Sequence, residues 1–202
     1  MVALLGTPQV SQALLRDIDR VSRKHRRWTA DAYFELDGAY IVEFCRGTVE
    51  ILPMPTTTHQ RVAQRINYAL LTHVHGGAAR GDVYFAGTRV KVGDDVFREP
   101  DVLFVPEEWR HFVQEQFVER AALVVEVISE FNRRHDVETK RAEYEDARIP
   151  EYWLIDPEER QVTVLTLGTR GYVEHGTFRE GQQATSVQLP GFSVDVTKLF
   201  AP

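Results

Sequence analysis

The sequence predicts an α/β fold, a mixed β-sheet flanked by helices with added β-hairpins. Apolar residues recur at helical and at strand spacing in the order helix, strands, helix, strands, helix, strands. Residues 121–128 form an almost unbroken apolar run containing Leu123, Val124, Val125 and Val127, as expected of a strand covered on both faces. A length of 202 residues with 43% apolar and 10% aromatic content is enough to bury one sizeable core.

Taken in order, Ser11 is placed to cap a first helix whose Leu14, Leu15, Ile18 and Val21 share a stripe, and which ends near the basic run 23–27. Alternating runs at 40–44 and 48–52 flank Arg46-Gly47 and predict a hairpin, closed by Pro53 and Pro55. Thr57 or Thr58 is the expected cap of a second helix. It carries His59, Val62, Ile66, Ala69, Leu70 and His73 on one face and stops at Gly76-Gly77. Strands are expected at 83–85, 88–92, 102–105 and 121–128, a helix at 135–148, a strand at 152–155 and a hairpin from 162–167 and 172–175. No fixed-period repeat or linker-like stretch interrupts the chain. One domain over 1–202 follows, with a helical extension at 1–39, a motif-bearing core at 40–157 and a β-hairpin region at 158–202.

The net charge is −6, which argues against coating nucleic acid by bulk electrostatics. It is unevenly spread: six cations against two acids give residues 1–30 a sum of +4, so the remaining 172 residues carry −10. One cysteine, Cys45, permits no internal disulfide, and the seven histidines make no zinc-finger spacing. No signal-peptide pattern or run of 18 apolar residues occurs, so the expectation is a cytoplasmic protein that does not span a membrane. Gly76-Gly77 and Gly81 lack the lysine and hydroxyl of a phosphate loop, and no serine sits in a nucleophile elbow. Nucleotide hydrolases and serine esterases are thereby excluded.

Glu126 demands explanation, because an ionised carboxylate inside Leu-Val-Val-Glu-Val-Ile loses several kcal/mol of hydration unless something cationic meets it. Asp101 immediately precedes the apolar strand 102–105, behind Pro100. Antiparallel pairing of that strand with 121–128 brings Asp101 beside Glu126. Two converging carboxylates suit Mg²⁺ or Mn²⁺, with the Val127 carbonyl as a further oxygen. Taken singly, each acid also reads as a strand-end or turn residue paired with an arginine. Lys140 falls on the inward stripe of Val137, Tyr144 and Ala147; its ammonium either offsets the acids and a phosphate, or snorkels to water over apolar surface.

Pro100-Asp101, Glu126-Val127-Ile128 and Lys140 resemble the PD-(D/E)XK nuclease superfamily, with Ile128 in the usual lysine slot and the lysine moved to the following helix. The longer pattern is similar to the Uma family of restriction endonucleases within it: Glu99-Pro100-Asp101-Val102, Val125 to Ser129, Asp136, Lys140 and Tyr144 at fixed spacing, and Ile149 through Pro157, with Glu43, Gly47, Pro53, Pro55 and His59 upstream. The likeness spans 40–157. Arg148 stands where relatives have a helix-ending glycine. The resemblance implies a restriction-endonuclease-like core, Asp101 and Glu126 as metal ligands, Lys140 as the displaced catalytic lysine and Glu43 as an additional acid near the metal.

The expected activity is that of a Mg²⁺- or Mn²⁺-dependent endonuclease hydrolysing DNA phosphodiesters. His59 is expected at a phosphate or behind Glu43, or simply as a structural hydrogen-bonding residue. Tyr144 and Asp136 are expected to support the ligands, with Tyr152 in the core and Trp153 on the strand surface. Arg26 and Arg27 either grip a DNA backbone or form a solvated helix face. Competing readings are a nuclease-fold module that binds nucleic acid or a partner protein without cutting, and a metal-dependent phosphodiesterase for another nucleic acid. A homodimer is the expectation for a double-strand cutter.

Overall fold

A computed structural model describes residues 1–5, 10–36, 40–130 and 132–201. In chain order the elements are β1 (Val2–Leu4), α1 (Gln12–Lys24), α2 (Ala30–Phe34), β2 (Val42–Cys45), β3 (Thr48–Ile51), α3 (Thr57–His75), β4 (Gly81–Phe85), β5 (Val90–Gly93), β6 (Val96–Arg98), β7 (Val102–Pro106), β8 (Leu123–Val127), α4 (Arg141–Asp146), β9 (Glu151–Asp156), β10 (Gln161–Gly168), β11 (Gly171–Arg179), β12 (Gln183–Thr185), β13 (Ser193–Asp195) and α5 (Val196–Leu199). A 3₁₀ segment, Glu107–Phe112, follows β7, and a π-type segment, His135–Lys140, precedes α4.

The mixed α/β architecture flanked by helices is as expected, and among the described residues its strands form two main sheets and a ribbon. The six-stranded sheet has the order β11-β10-β9-β8-β7-β4 and is antiparallel except for the parallel pair β8 and β9. The five-stranded sheet has the order β1-β3-β2-β6-β5, with β1 parallel to β3, and β12 pairs with β13 alone. β1, β6, β12 and β13 are three residues each, and α2 and α5 are five and four. Elements this short show too little periodicity for a sequence to announce them.

Strand alternation distributes the core. On β7 and β8, Val102, Phe104, Leu123, Val125 and Val127 join the cluster that contains Val62, Ile66 and Leu70 of α3. Their neighbours Leu103, Val105 and Val124 face the other way, with Tyr144 and β5. Glu126 has the parity of Val124, so it is directed to the side that carries α4. In the five-stranded sheet Val42, Phe44, Val49, Ile51 and Phe97 pack on Leu14 and Val21 of α1 and Tyr33 of α2. Glu43, Glu50 and Arg98 therefore occupy the opposite face.

Ser11 caps α1 as expected, its side chain accepting from the Leu14 N–H. The cap of α3 is Thr56, not Thr57 or Thr58: Thr56 holds the extended conformation of a cap and its hydroxyl accepts from the His59 N–H. Arg148 adopts φ +58 just beyond α4, the left-handed position that favours glycine. Trp153 is fully buried rather than on a strand surface, because the sheet is covered on both faces; Tyr152 is fully buried too.

Candidate active site

A cleft of about 790 Å³ opens where the ends of β7 and β8, the start of α3 and the turn before α4 meet. Glu43, His59, Asp101, Glu126, Val127, Asp136 and Lys140 all line it. Pairing of Val102 with Val125 puts Asp101 next to Glu126, as the antiparallel argument requires. The Val127 N–H donates to Asp101 Oδ2 at 2.7 Å, and His59 Nε2 lies 3.2 Å from the same oxygen. His59 thus serves Asp101, in the hydrogen-bonding role that was one of its expected readings, and not Glu43, the other protein partner considered, because α3 begins at the β7 end of the cleft.

Lys140 is 2% exposed, which removes the snorkelling reading. Its Nζ lies 2.9 Å from Glu126 Oε1, 3.1 Å from Glu43 Oε1 and 3.5 Å from Asp136 Oδ1. Tyr144 donates its hydroxyl to Glu126 Oε1 at 2.6 Å. The continuous α-helix expected at 135–148 is widened here. A π-type turn adds a residue, and Asp136 and Lys140 both end up buried on its inner side.

Four residues given no role by the sequence reading, Arg98, Glu50, Glu143 and His135, complete the charge structure. Arg98, 1% exposed, donates through Nη1 to Glu43 Oε2 at 2.9 Å and to Glu50, and through Nε and Nη2 to Glu143 at 2.7 and 2.8 Å. His135 Nε2 is 3.6 Å from Glu43 Oε2. The signal for Arg98 and Glu50 was present in the alternation, since each flanks apolar residues that face α1. The strand of Arg98 was too short to be recognised. Arg26 and Arg27 are exposed and are not among the residues lining the cleft.

The cations are outnumbered. Burial pushes the Glu126 carboxyl well above its usual range, and Asp136, Asp101 and Glu43 push it further against the pull of Lys140. Burial also raises Asp136 to about 6, again against Lys140. Glu43 is the exception: burial pushes it up, but Lys140 and Arg98 together hold it well below the usual range. Burial pulls the Lys140 ammonium down, yet Glu126 and Glu43 hold it well above the ordinary lysine value, so it stays charged. His59 follows the same logic, with burial lowering it and the bond to Asp101 raising it more.

Glu43, Glu50 and His135 also bring three ligand-type atoms within 4.8 Å of one another. Two of the three, Glu43 and Glu50, already pair with the guanidinium of Arg98, a resident cation.

The sequence model of Uma2, described as "Putative restriction endonuclease", matches residues 30–197. The chain belongs to the Uma2 family. Among solved structures, a protein of Anabaena variabilis, described as "a putative nuclease belonging to DUF820", is similar at TM-score 0.69 and 16% identity, covering 86% of this chain and 97% of that chain. At that identity the likeness shows the fold, a restriction-endonuclease-like α/β core. No curated protein matches the chain. Among the described residues no helix is long and apolar enough to cross a membrane.

Proposed function

We propose that this Uma2 protein is a Mg²⁺- or Mn²⁺-dependent endonuclease that hydrolyses phosphodiester bonds in DNA, with Asp101, Glu126 and the Val127 carbonyl holding the ion. The observation that carries the reading is how the two carboxylates are satisfied. Asp101 Oδ2 takes both its protein contacts and Glu126 Oε1 takes both of its own. Among the described residues, Oδ1 and Oε2 receive no donor. A pair of hard oxygens at a strand end with no protein donor, lining a cleft short of positive charge, fits a divalent cation with oxygen ligands. Such an ion supplies charge neutralisation at the phosphate and a lowered pKa for attacking water.

The chain's own residues do the rest. Lys140 stays protonated, so it acts as a fixed positive charge and donor toward a phosphoryl oxygen and not as a base. Tyr144 and Lys140 fix the rotamer of Glu126, His59 fixes Asp101, and Glu43 with Asp136 holds Lys140 in place. The first turn of α3 enters the cleft through Thr56, Thr58 and Gln60, presenting the positive end of a 19-residue helix to an incoming phosphate.

The test is incubation with supercoiled, linear and single-stranded DNA in Mg²⁺ or Mn²⁺, beside Asp101→Ala and Lys140→Ala proteins. Cleavage by the wild type and its loss in both variants is expected. Equal cleavage by all three refutes the assignment.

A further inference from the structure

One wall of the cleft is apolar and has no role in the proposed chemistry. It is the segment joining β3 to α3, Leu52-Pro53-Met54-Pro55, together with Tyr40 and Ile41. Met54 is 65% exposed and belongs to none of the three core clusters. The prolines on either side lock φ and remove backbone donors, so the thioether is held at the cleft by a stiff segment. Ala86 and Gly87 line the same cleft, next to the half-exposed Phe85.

The charges argue about the form of the substrate. Seven acidic side chains line the cleft against two cations, Lys140 and Arg133, and Arg133 is already paired with Asp156 and Glu158. A double helix presents one phosphate charge per ~1.7 Å of axis and is held by many Lys and Arg contacts. This cleft offers few. Its volume of about 790 Å³ is that of a pocket for a small ligand rather than a trough for a duplex. With its carboxylates countered by Lys140 and the proposed divalent cation, the floor beside an apolar wall suits one nucleotide, its phosphate at the floor and its base on the wall.

We propose that the cleft takes an unpaired nucleotide strand, single-stranded or locally opened, whose base packs against Met54 and its flanking prolines. The proposal rests on the nuclease reading for the direction of the phosphate and adds the substrate class. Methionine and proline are among the apolar side chains that wedge between base steps, and the π-face such a contact uses is offered by every base. Lys140 and the start of α3 receive the phosphate of the same nucleotide. A duplex is then a substrate only where it opens.

The experiment measures fluorescence anisotropy of the wild-type protein in Ca²⁺, with labelled oligonucleotides of about 20 nucleotides as single-stranded DNA, single-stranded RNA, blunt duplex and the same duplex with a central mismatch bubble. Single strands and the bubble are expected to bind about tenfold or more tightly than the blunt duplex, with the two single strands separating DNA from RNA as the source. Met54→Ala is expected to weaken single-strand binding roughly five- to twentyfold without changing the melting temperature, and Met54→Trp to restore it. Blunt duplex bound as tightly as single strand, a Met54→Ala protein that binds like the wild type, or no binding of any form each overturns the proposal. Cleavage in Mn²⁺ keeps the two readings apart. Duplex cut as fast as single strand, with loss in Lys140→Ala, sinks the strand proposal alone. Met54-dependent binding without cleavage sinks the nuclease reading alone.

Discussion

Lys140→Met removes an ammonium from among three carboxylates while keeping the length and most of the volume of the side chain. Glu126, Glu43 and Asp136 lie 2.9, 3.1 and 3.5 Å from Nζ, and all four groups are buried. Removing one partner of a buried ion pair costs about 3–5 kcal/mol because the other charge is left uncompensated. Here two remedies reduce that cost. Glu43 keeps Arg98, and Glu126 and Asp136 can take up protons. Burial and the neighbouring acids already raise both of these groups above their unfolded values, Asp136 to about 6. A carboxyl raised on folding contributes stability that is present below its unfolded pKa and is lost as pH climbs through the folded pKa. Without Lys140 both rise further. The loss should therefore be about 3–5 kcal/mol near pH 8 and shrink to about 1 kcal/mol near pH 5, read from urea unfolding of both proteins at each pH. Divalent cation should recover part of the loss at pH 8. A deficit that is the same at both pH values, or under about 1 kcal/mol at pH 8, would refute the charge argument.

Arg98→Lys keeps the charge but not the fork that reaches Glu43, Glu50 and Glu143 together; a loss of about 2–4 kcal/mol in urea unfolding is expected, and near-neutral stability would show that charge alone matters. Glu151 accepts from Trp153 Nε1, Ser186 Oγ and the N–H groups of Val187 and Gln188 at 2.6–2.9 Å, so Glu151→Ala should cost about 2–4 kcal/mol and speed amide exchange at 186–189, where unchanged exchange would contradict the clamp. Burial raises Asp156, but its bonds to Arg133 and to the Glu158 and Glu159 N–H groups lower it more, so the balance lies below the ordinary value. Its stability contribution is thus present above the unfolded pKa and lost as pH falls through the folded one. Asp156→Asn should move the acid-unfolding midpoint to higher pH, and a midpoint that stays put refutes the assignment.

What could be read in the sequence was what local pattern encodes. The apolar run 121–128 with one acid in it, and the inward stripe that joins Lys140 to Tyr144, located Glu126 and two of its partners, because strand and helix periodicities decide which side chains face inward, whereas Asp136 came from the family resemblance. Asp101 came from a pairing argument, and the register of β7 on β8 supports it. The partner of His59 lay beyond such reasoning. Which acid the start of α3 meets depends on how a helix lies across two sheets, and no local period carries that. Arg98 escaped for another reason. Its strand spans three residues, yet its guanidinium joins three carboxylates from β2, β3 and α4, so the contact that explains it is entirely long-range.

That arginine also alters the meaning of the acidic charge. The carboxylates near the cleft fall into two sets with opposite electrostatic fates. Around Arg98, Glu43, Glu50 and Glu143 are met by a permanent cation, and Glu43 is held ionised. Around Asp101, Glu126 and Asp136 the resident cation is Lys140, which Glu43 shares, and burial leaves Glu126 and Asp136 above their ordinary values. A fold that wanted only stability would gain by replacing the second set with apolar side chains of similar volume. Keeping Glu126 and Asp136 on a lysine they share with Glu43, beside Asp101 and its His59, costs stability, and the cost is lowest when a further positive charge is present. The same deficit is the physical reason the divalent cation proposed above would stabilise the site.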